Sequence, residues 1–173
     1  MVDQEASNQI PTHFKLNNGL MMPVIGFGTW EVRESKPIFD AIKFAGYRHI
    51  DTASFYKNEE IVGEAIKQAI DEGVVKREDL WVTTKIWPEE FGDVDGAIQS
   101  SLKKLQLDYV DQYLIHWPRG FWTENKTPMH VLWPRMEAVN EKGLAKSIGI
   151  SNVNVQLLGD LLCYCKIKPA TNQ

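Results

Sequence analysis

From residue 24 onward the chain repeats one pattern: a short apolar stretch rich in β-branched residues, a longer amphipathic stretch, then another short one. The short stretches are VIGFGT (24–29), YRHID (47–51), LWVTTKIW (80–87), YVDQYLIHW (109–117) and AKSIGIS (145–151), and KPATNQ (168–173) reads as the start or body of a sixth. Between them, residues 36–46, 58–73, 94–106, 129–142 and 153–165 read as helices. In the second of these, Ile61, Ala65, Ile66 and Ala69 share a face and Gly73 closes the helix. Pro134 lies inside the fourth and predicts a late start or a kink, because proline lacks the N–H that the preceding turn needs. Strict alternation of strand and helix implies a parallel sheet with helices packed on it. Right-handed crossovers then leave an open doubly wound sheet or a closed barrel.

Ahead of the series, THFKL (12–16) and LMMPV (20–24) flank Asn17-Asn18-Gly19 and predict a β-hairpin. Residues 1–11 form a polar tail, and 12–173 read as one β/α domain without a linker. A net charge of -4 speaks against nucleic-acid binding, which usually needs a basic face. No apolar run approaches the ~20 residues that span a bilayer, and the polar start resembles no secretory signal, so the expected compartment is the cytoplasm. Cys163 and Cys165 sit two apart on a helix and point away from one another, and the four histidines are scattered. No metal site is expected.

The strand ends decide between the two sheets. Asp51, Lys85, His116 and Ser151-Asn152 finish successive apolar strands, and Gln173 ends the sixth stretch. Costly polar residues at the C-terminal ends of several strands mark the top face of a barrel. A doubly wound dinucleotide fold would carry GxGxxG after its first strand, whereas this chain reads Gly26-Phe27-Gly28-Thr29-Trp30 with no third glycine. Each polar residue alone has a bland explanation as a loop cap or a solvated side chain. Together, Asp51, Tyr56, Lys85 and His116 fall on one rim of a barrel. A lysine ammonium beside a tyrosine is expected to lower the phenol pKa from its ordinary ~10. A carboxylate holds the lysine charged, and a histidine beside the reacting oxygen can orient a carbonyl or share the proton. That set suits protonation of an alkoxide as hydride reaches a carbonyl carbon. A hydrolase is the weaker reading, since GxSxG is absent.

The segments MPVIGFGTW (22–30), GYRHIDTASFYKNEEIVGEAI (46–66), LWVTTKIW (80–87), LKKLQLDYVDQYLIHWP (102–118), GLAKSIGISN (143–152) and KPATNQ (168–173) resemble the aldo-keto reductases. The resemblance implies a (β/α)₈ TIM-type barrel plugged by the hairpin, and NADPH-dependent reduction of aldehydes or ketones, with NADH not excluded. It implies Tyr56 as proton donor, tuned by Lys85 and Asp51, with His116 orienting the carbonyl. Ser151, Asn152 and Gln173 would hold the nicotinamide carboxamide. Thr29 and Asp51 would lie near the ribose, and Trp30, Trp87 and Trp117 would line the substrate pocket.

Such barrels take ~250 residues, so a 173-residue chain is expected to hold about six βα units. Its two open sheet edges would invite association with other chains, while a complete form is expected to be a monomer or weak dimer. Phe27 and Leu114 would face the gap left by the last strands. The alternative expectation is a non-catalytic barrel relative acting as a binding, regulatory or structural subunit.

Overall fold

The computed structural model describes residues 11–119 and 124–173. The polar tail expected over 1–11 lies outside the described residues except for Pro11, as does the middle of the loop around 119–127.

Strands β1 (His13–Lys15) and β2 (Met21–Pro23) form the expected antiparallel hairpin. Its turn closes through the Gly19 N–H on the Leu16 carbonyl at 2.9 Å. Gly19 takes φ +87, a conformation in which a Cβ would be strained. The Asn17 amide donates to the Pro169 carbonyl at 2.9 Å and that of Asn18 to Lys146 at 3.5 Å. The hairpin is thereby tied to residues that begin sheet-forming segments.

Five strands follow in the order β3 (Phe27–Gly28), β4 (His49–Asp51), β5 (Trp81–Ile86), β6 (Val110–Ile115) and β7 (Ala145–Ile150), all parallel. Helices α1 (Ser35–Lys43), α2 (Glu59–Asp71), α3 (Val94–Leu105), α4 (Met129–Glu141) and α5 (Val155–Tyr164) alternate with or follow them. The alternation expected from the sequence is present, with strands trimmed to their paired residues. The sixth strand is a correction. Residues 170–173 lie along β7, with Ala170 N–H on the Ile148 carbonyl at 2.8 Å and Gln173 N–H on Ile150 at 3.0 Å. They form one isolated bridge, Ile150–Asn172, rather than a strand. Pro169 has no N–H to give, and its carbonyl is taken by Asn17.

Side chains alternate across the sheet. Val82, Ile86, Tyr113, Ile115, Ile148 and Ile150 pack into the core under the helices. The opposite face carries a chain of polar contacts: His49 Nε2 to Thr83 Oγ1 at 3.0 Å, Thr83 to Gln112 at 3.3 Å, and Gln112 Nε2 to Thr171 Oγ1 at 2.7 Å. Leu114, expected to face a gap, is instead fully buried. It packs over Gly149, where a Cβ would come 2.7 Å from Leu114 Cδ2. Phe27 is half-buried, edge-on to Tyr47 at 5.5 Å.

Helix α4 starts at Met129 and runs unbroken through Pro134, contrary to a late start. Tertiary packing holds it. Trp133 is fully buried and donates to the Ile167 carbonyl at 2.9 Å, and Glu137 accepts the Lys166 and Ile167 N–H groups at 2.7 and 2.9 Å. In α2 the buried face contains Val62, Ala65, Ile66 and Ala69, while Ile61 is only half-buried. Gly63 lets α2 approach α3: a Cβ there would lie 2.6 Å from the carbonyl oxygens of Lys104 and Leu105. Gly63→Ala should therefore destabilise the fold by about 1–3 kcal/mol, the usual cost of overpacking. Helix propensity alone would make the same change favourable by up to ~1 kcal/mol. An unchanged or raised melting temperature would rule out the close approach.

Candidate active site

Parallel strands bring their C-terminal ends to one edge of the sheet, and the polar strand-end residues meet there. Asp51 closes β4, Lys85 lies near the end of β5, and His116 follows β6. Lys85 is fully buried. Its Nζ donates to Asp51 Oδ1 at 2.5 Å and to the Thr52 carbonyl at 2.9 Å. Tyr56 arrives from the 3₁₀ turn Ser54–Tyr56 just after β4, and its hydroxyl lies 3.4 Å from Lys85 Nζ.

The turn is held by its surroundings. Lys57 adopts φ 54, the left-handed conformation that redirects the backbone toward α2. Asn58 is buried, and its amide donates to the Thr29 and Val32 carbonyls at 2.7 and 3.1 Å while accepting from Thr52 Oγ1 at 3.1 Å. Thr29 in turn places both its N–H and its hydroxyl on the Asp51 carbonyl at 3.0 Å. Asn58 was not singled out in the sequence, where it reads as an ordinary helix-entry residue.

One electrostatic expectation is reversed. The Tyr56 pKa is pushed up to about 12, first by burial and then by the Asp51 carboxylate. Lys85 and Asp51 form a close ion pair, so the ammonium presents little net positive field to the phenol. Burial pulls the Lys85 pKa down, and Asp51 opposes that by charge and hydrogen bond. His116 is lowered to about 4 by burial and by the Lys85 charge, with Asp51 acting in the other direction. Its imidazole is therefore neutral at ordinary pH, and its Nδ1 is buried with no hydrogen-bond partner among the described residues.

Ser151, Asn152 and Gln173 join the same edge. Ser151 Oγ donates to the Gln173 carbonyl at 2.9 Å, and Asn152 Nδ2 to the His116 carbonyl at 2.9 Å. Gln173 Nε2 donates to Asp51 Oδ2 at 2.9 Å. These residues and the Asp51–Lys85–Tyr56 group thus form one connected network. Asn152 takes φ 59, which aims its amide back across the strand end.

Aromatic rings form the wall. Trp30, 52% exposed, stacks on Phe55 at 5.7 Å and meets Tyr56 edge-on at 4.9 Å. Trp87 also stacks on Phe55, at 3.9 Å, and lies edge-on to His116 at 5.1 Å. Trp117, the third expected wall residue, is half-buried at the position after His116. Phe55 was missed in the sequence. Its one signal is an apolar ring beside Tyr56 in a turn, outside any helical or strand periodicity.

The profile of the Aldo/keto reductase family matches residues 16–173. The chain belongs to the aldo/keto reductase family. An aldose reductase of Encephalitozoon cuniculi is 42% identical over 176 residues, covering 92% of this chain and 58% of that protein. A protein named NADH-dependent D-xylose reductase from Candida parapsilosis is 42% identical over 185 residues, 92% of this chain and 56% of its own length. The crystal structure of a Bombyx mori aldo-keto reductase in complex with NADP superposes with a TM-score of 0.87 at 39% identity, covering 95% of this chain and 58% of that one. The chain spans a little over half the length of these aldo/keto reductases. Its parallel strands and helices form part of the family's (β/α)₈ barrel.

Proposed function

We propose that the protein reduces aldehydes or ketones, small carbonyls and aldoses among them, to alcohols with NADPH, and that Tyr56 donates the proton. The observation that carries this reading is the fully buried Lys85 held between the Asp51 carboxylate and the Tyr56 hydroxyl. A structural role alone does not call for a phenol there, with its hydroxyl next to a half-exposed aromatic wall. NADH is the alternative donor, given the name of the Candida relative.

The donor set at the strand ends fits a nicotinamide. Ser151 offers a hydroxyl, and Asn152 and Gln173 offer side-chain amides within one hydrogen-bonded cluster. These are the groups that pair with a primary carboxamide, and Thr29 with Asp51 lies alongside for a ribose. When bound, the dinucleotide would supply a hydride to the carbonyl carbon. The chain's own residues do the rest. Neutral His116 orients the carbonyl oxygen without competing for its proton. Tyr56 delivers its proton to that oxygen, and Lys85 then faces the phenolate. Trp30, Phe55, Trp87 and Trp117 are the proposed walls that limit water. The two free cysteines suit the reducing cytoplasm as its compartment.

The pKa shifts give a pH profile. Tyr56 stays protonated until about 12, and His116 stays neutral down to about 4. The rate of carbonyl-dependent NADPH oxidation should fall as pH drops through the lower limit, when His116 gains a proton beside Lys85. It should fall again at alkaline pH as Lys85, whose pKa burial pulls below its ordinary value, loses its charge before Tyr56 titrates. A decline centred near neutrality would remove His116 from its assigned role. No carbonyl-dependent oxidation at any pH would overturn the function.

A further inference from the structure

We infer that Glu90 is a positioning residue for the aromatic wall, because one of its carboxylate oxygens fastens together the two turns that carry Phe55–Tyr56 and Trp87. The Ser54 hydroxyl donates to Glu90 Oε2 at 2.6 Å, and the Trp87 backbone N–H donates to the same oxygen at 2.8 Å. Ser54 opens the 3₁₀ turn Ser54–Tyr56, and Glu90 ends the 3₁₀ turn Pro88–Glu90 that follows β5. Sheet hydrogen bonding reaches Thr52, whose N–H donates to the Thr83 carbonyl at 2.9 Å, and Ile86 at the end of β5, so the Ser54–Glu90 contact is what joins the two turns beyond it.

The spacing matters for the rings. Phe55 stacks on Trp87 with centroids 3.9 Å apart and planes 22° apart, and Trp30 stacks on Phe55 at 5.7 Å and 8°. The result is a continuous Trp30–Phe55–Trp87 stack, with Tyr56 edge-on to Trp30 and His116 edge-on to Trp87. Phe55 is 39% exposed, so burial alone does not hold it. A charge-assisted hydrogen bond at a half-buried carboxylate is strong enough to do so. Glu90 touches no reacting atom in this arrangement. It acts through Ser54 and the Trp87 backbone, and its effect is to keep the wall narrow beside Tyr56 and His116.

The inference rests on the reductase reading for its kinetic consequence and stands apart from it for its structural one. The test compares Ser54→Ala, Glu90→Ala, the double variant and Ser54→Thr in the intact enzyme. The near-ultraviolet circular dichroism of stacked Trp87 and Phe55 reports the clasp directly. It should weaken in Ser54→Ala and in Glu90→Ala, the double variant should be no worse than Glu90→Ala, and Ser54→Thr should restore the parent spectrum. With benzaldehyde as a probe that fills the wall, KM should rise about tenfold in Ser54→Ala with kcat within about twofold, the scale of one hydrogen bond to a charged group. Acetaldehyde, which does not reach the wall, should show little change. Additive spectral losses in the double variant, or an unchanged spectrum in Ser54→Ala, would overturn the inference, as would equal changes of KM for both aldehydes. A parent enzyme that turns over neither aldehyde would sink the reductase reading, and the spectra would still decide the clasp.

Discussion

Replacing Tyr56 by Phe is expected to lower turnover by about 10²–10⁴-fold, the usual contribution of a positioned general acid. The change removes one hydroxyl and keeps the ring, which meets Trp30 at 4.9 Å and His116 at 5.5 Å. The walls therefore stay in place. Ser151, Asn152 and Gln173 hold each other, Asp51 and the His116 carbonyl without using the phenol, so affinity for NADPH should be retained. The two readouts are single-turnover rate and a tryptophan fluorescence titration with NADPH. An unchanged kcat would remove Tyr56 as the donor. A loss of NADPH affinity matching the loss of rate would assign it to binding instead.

Lys85→Met should cost about 10²–10³-fold in kcat, equivalent to about 3–4 kcal/mol of lost transition-state stabilisation. Methionine fills similar space but leaves the Asp51 carboxylate uncompensated beside Tyr56. That carboxylate already raises the Tyr56 pKa with the ammonium present. Without it, the phenolate formed on proton transfer faces a like charge. Removing one partner of a buried pair also destabilises the fold, since the other charge is left behind. Asp51 is 15% exposed and keeps its bond from Gln173, which limits that loss. The double variant Asp51→Asn/Lys85→Met separates the two effects. It should melt higher than Lys85→Met and be no slower, because the stranded charge is gone. Strictly additive losses would mean that the two residues act independently, and normal turnover by Lys85→Met would make the lysine structural only.

Several elements were legible from local pattern. Local pattern, an apolar face for residues 58–73 and proline or glycine punctuation elsewhere, marked the five helices of the described residues to within a few residues, and Asn17-Asn18-Gly19 marked the hairpin. Both depend on interactions between near neighbours along the chain, which spacing records. Phase was less complete: Val62, left out of the expected face, is fully buried, and Ile61 packs against the core only half-buried, because which side of a helix is buried depends on the element it meets. The same holds for α4, where Pro134 argued for disruption and contacts from Trp133 and Glu137 to residues 166–167 overrode it.

The chain alone determined the alternating β/α order, the meeting of Asp51, Tyr56, Lys85 and His116 at one sheet edge, and the resemblance that named the family. Parallel topology makes that meeting unavoidable once polar residues end successive strands. Tertiary structure decided what spacing does not encode. The Tyr56 pKa rises rather than falls because burial and a paired counter-charge are properties of position in space. Residues 170–173 run along β7 as an isolated bridge, and Asn17, 152 positions away, holds the Pro169 carbonyl at their start. Phe55 becomes the middle ring of a stack because Ser54 and Glu90, 36 residues apart, share one hydrogen bond. Each of these outcomes depends on groups distant in sequence whose approach only the folded sheet and its loops create.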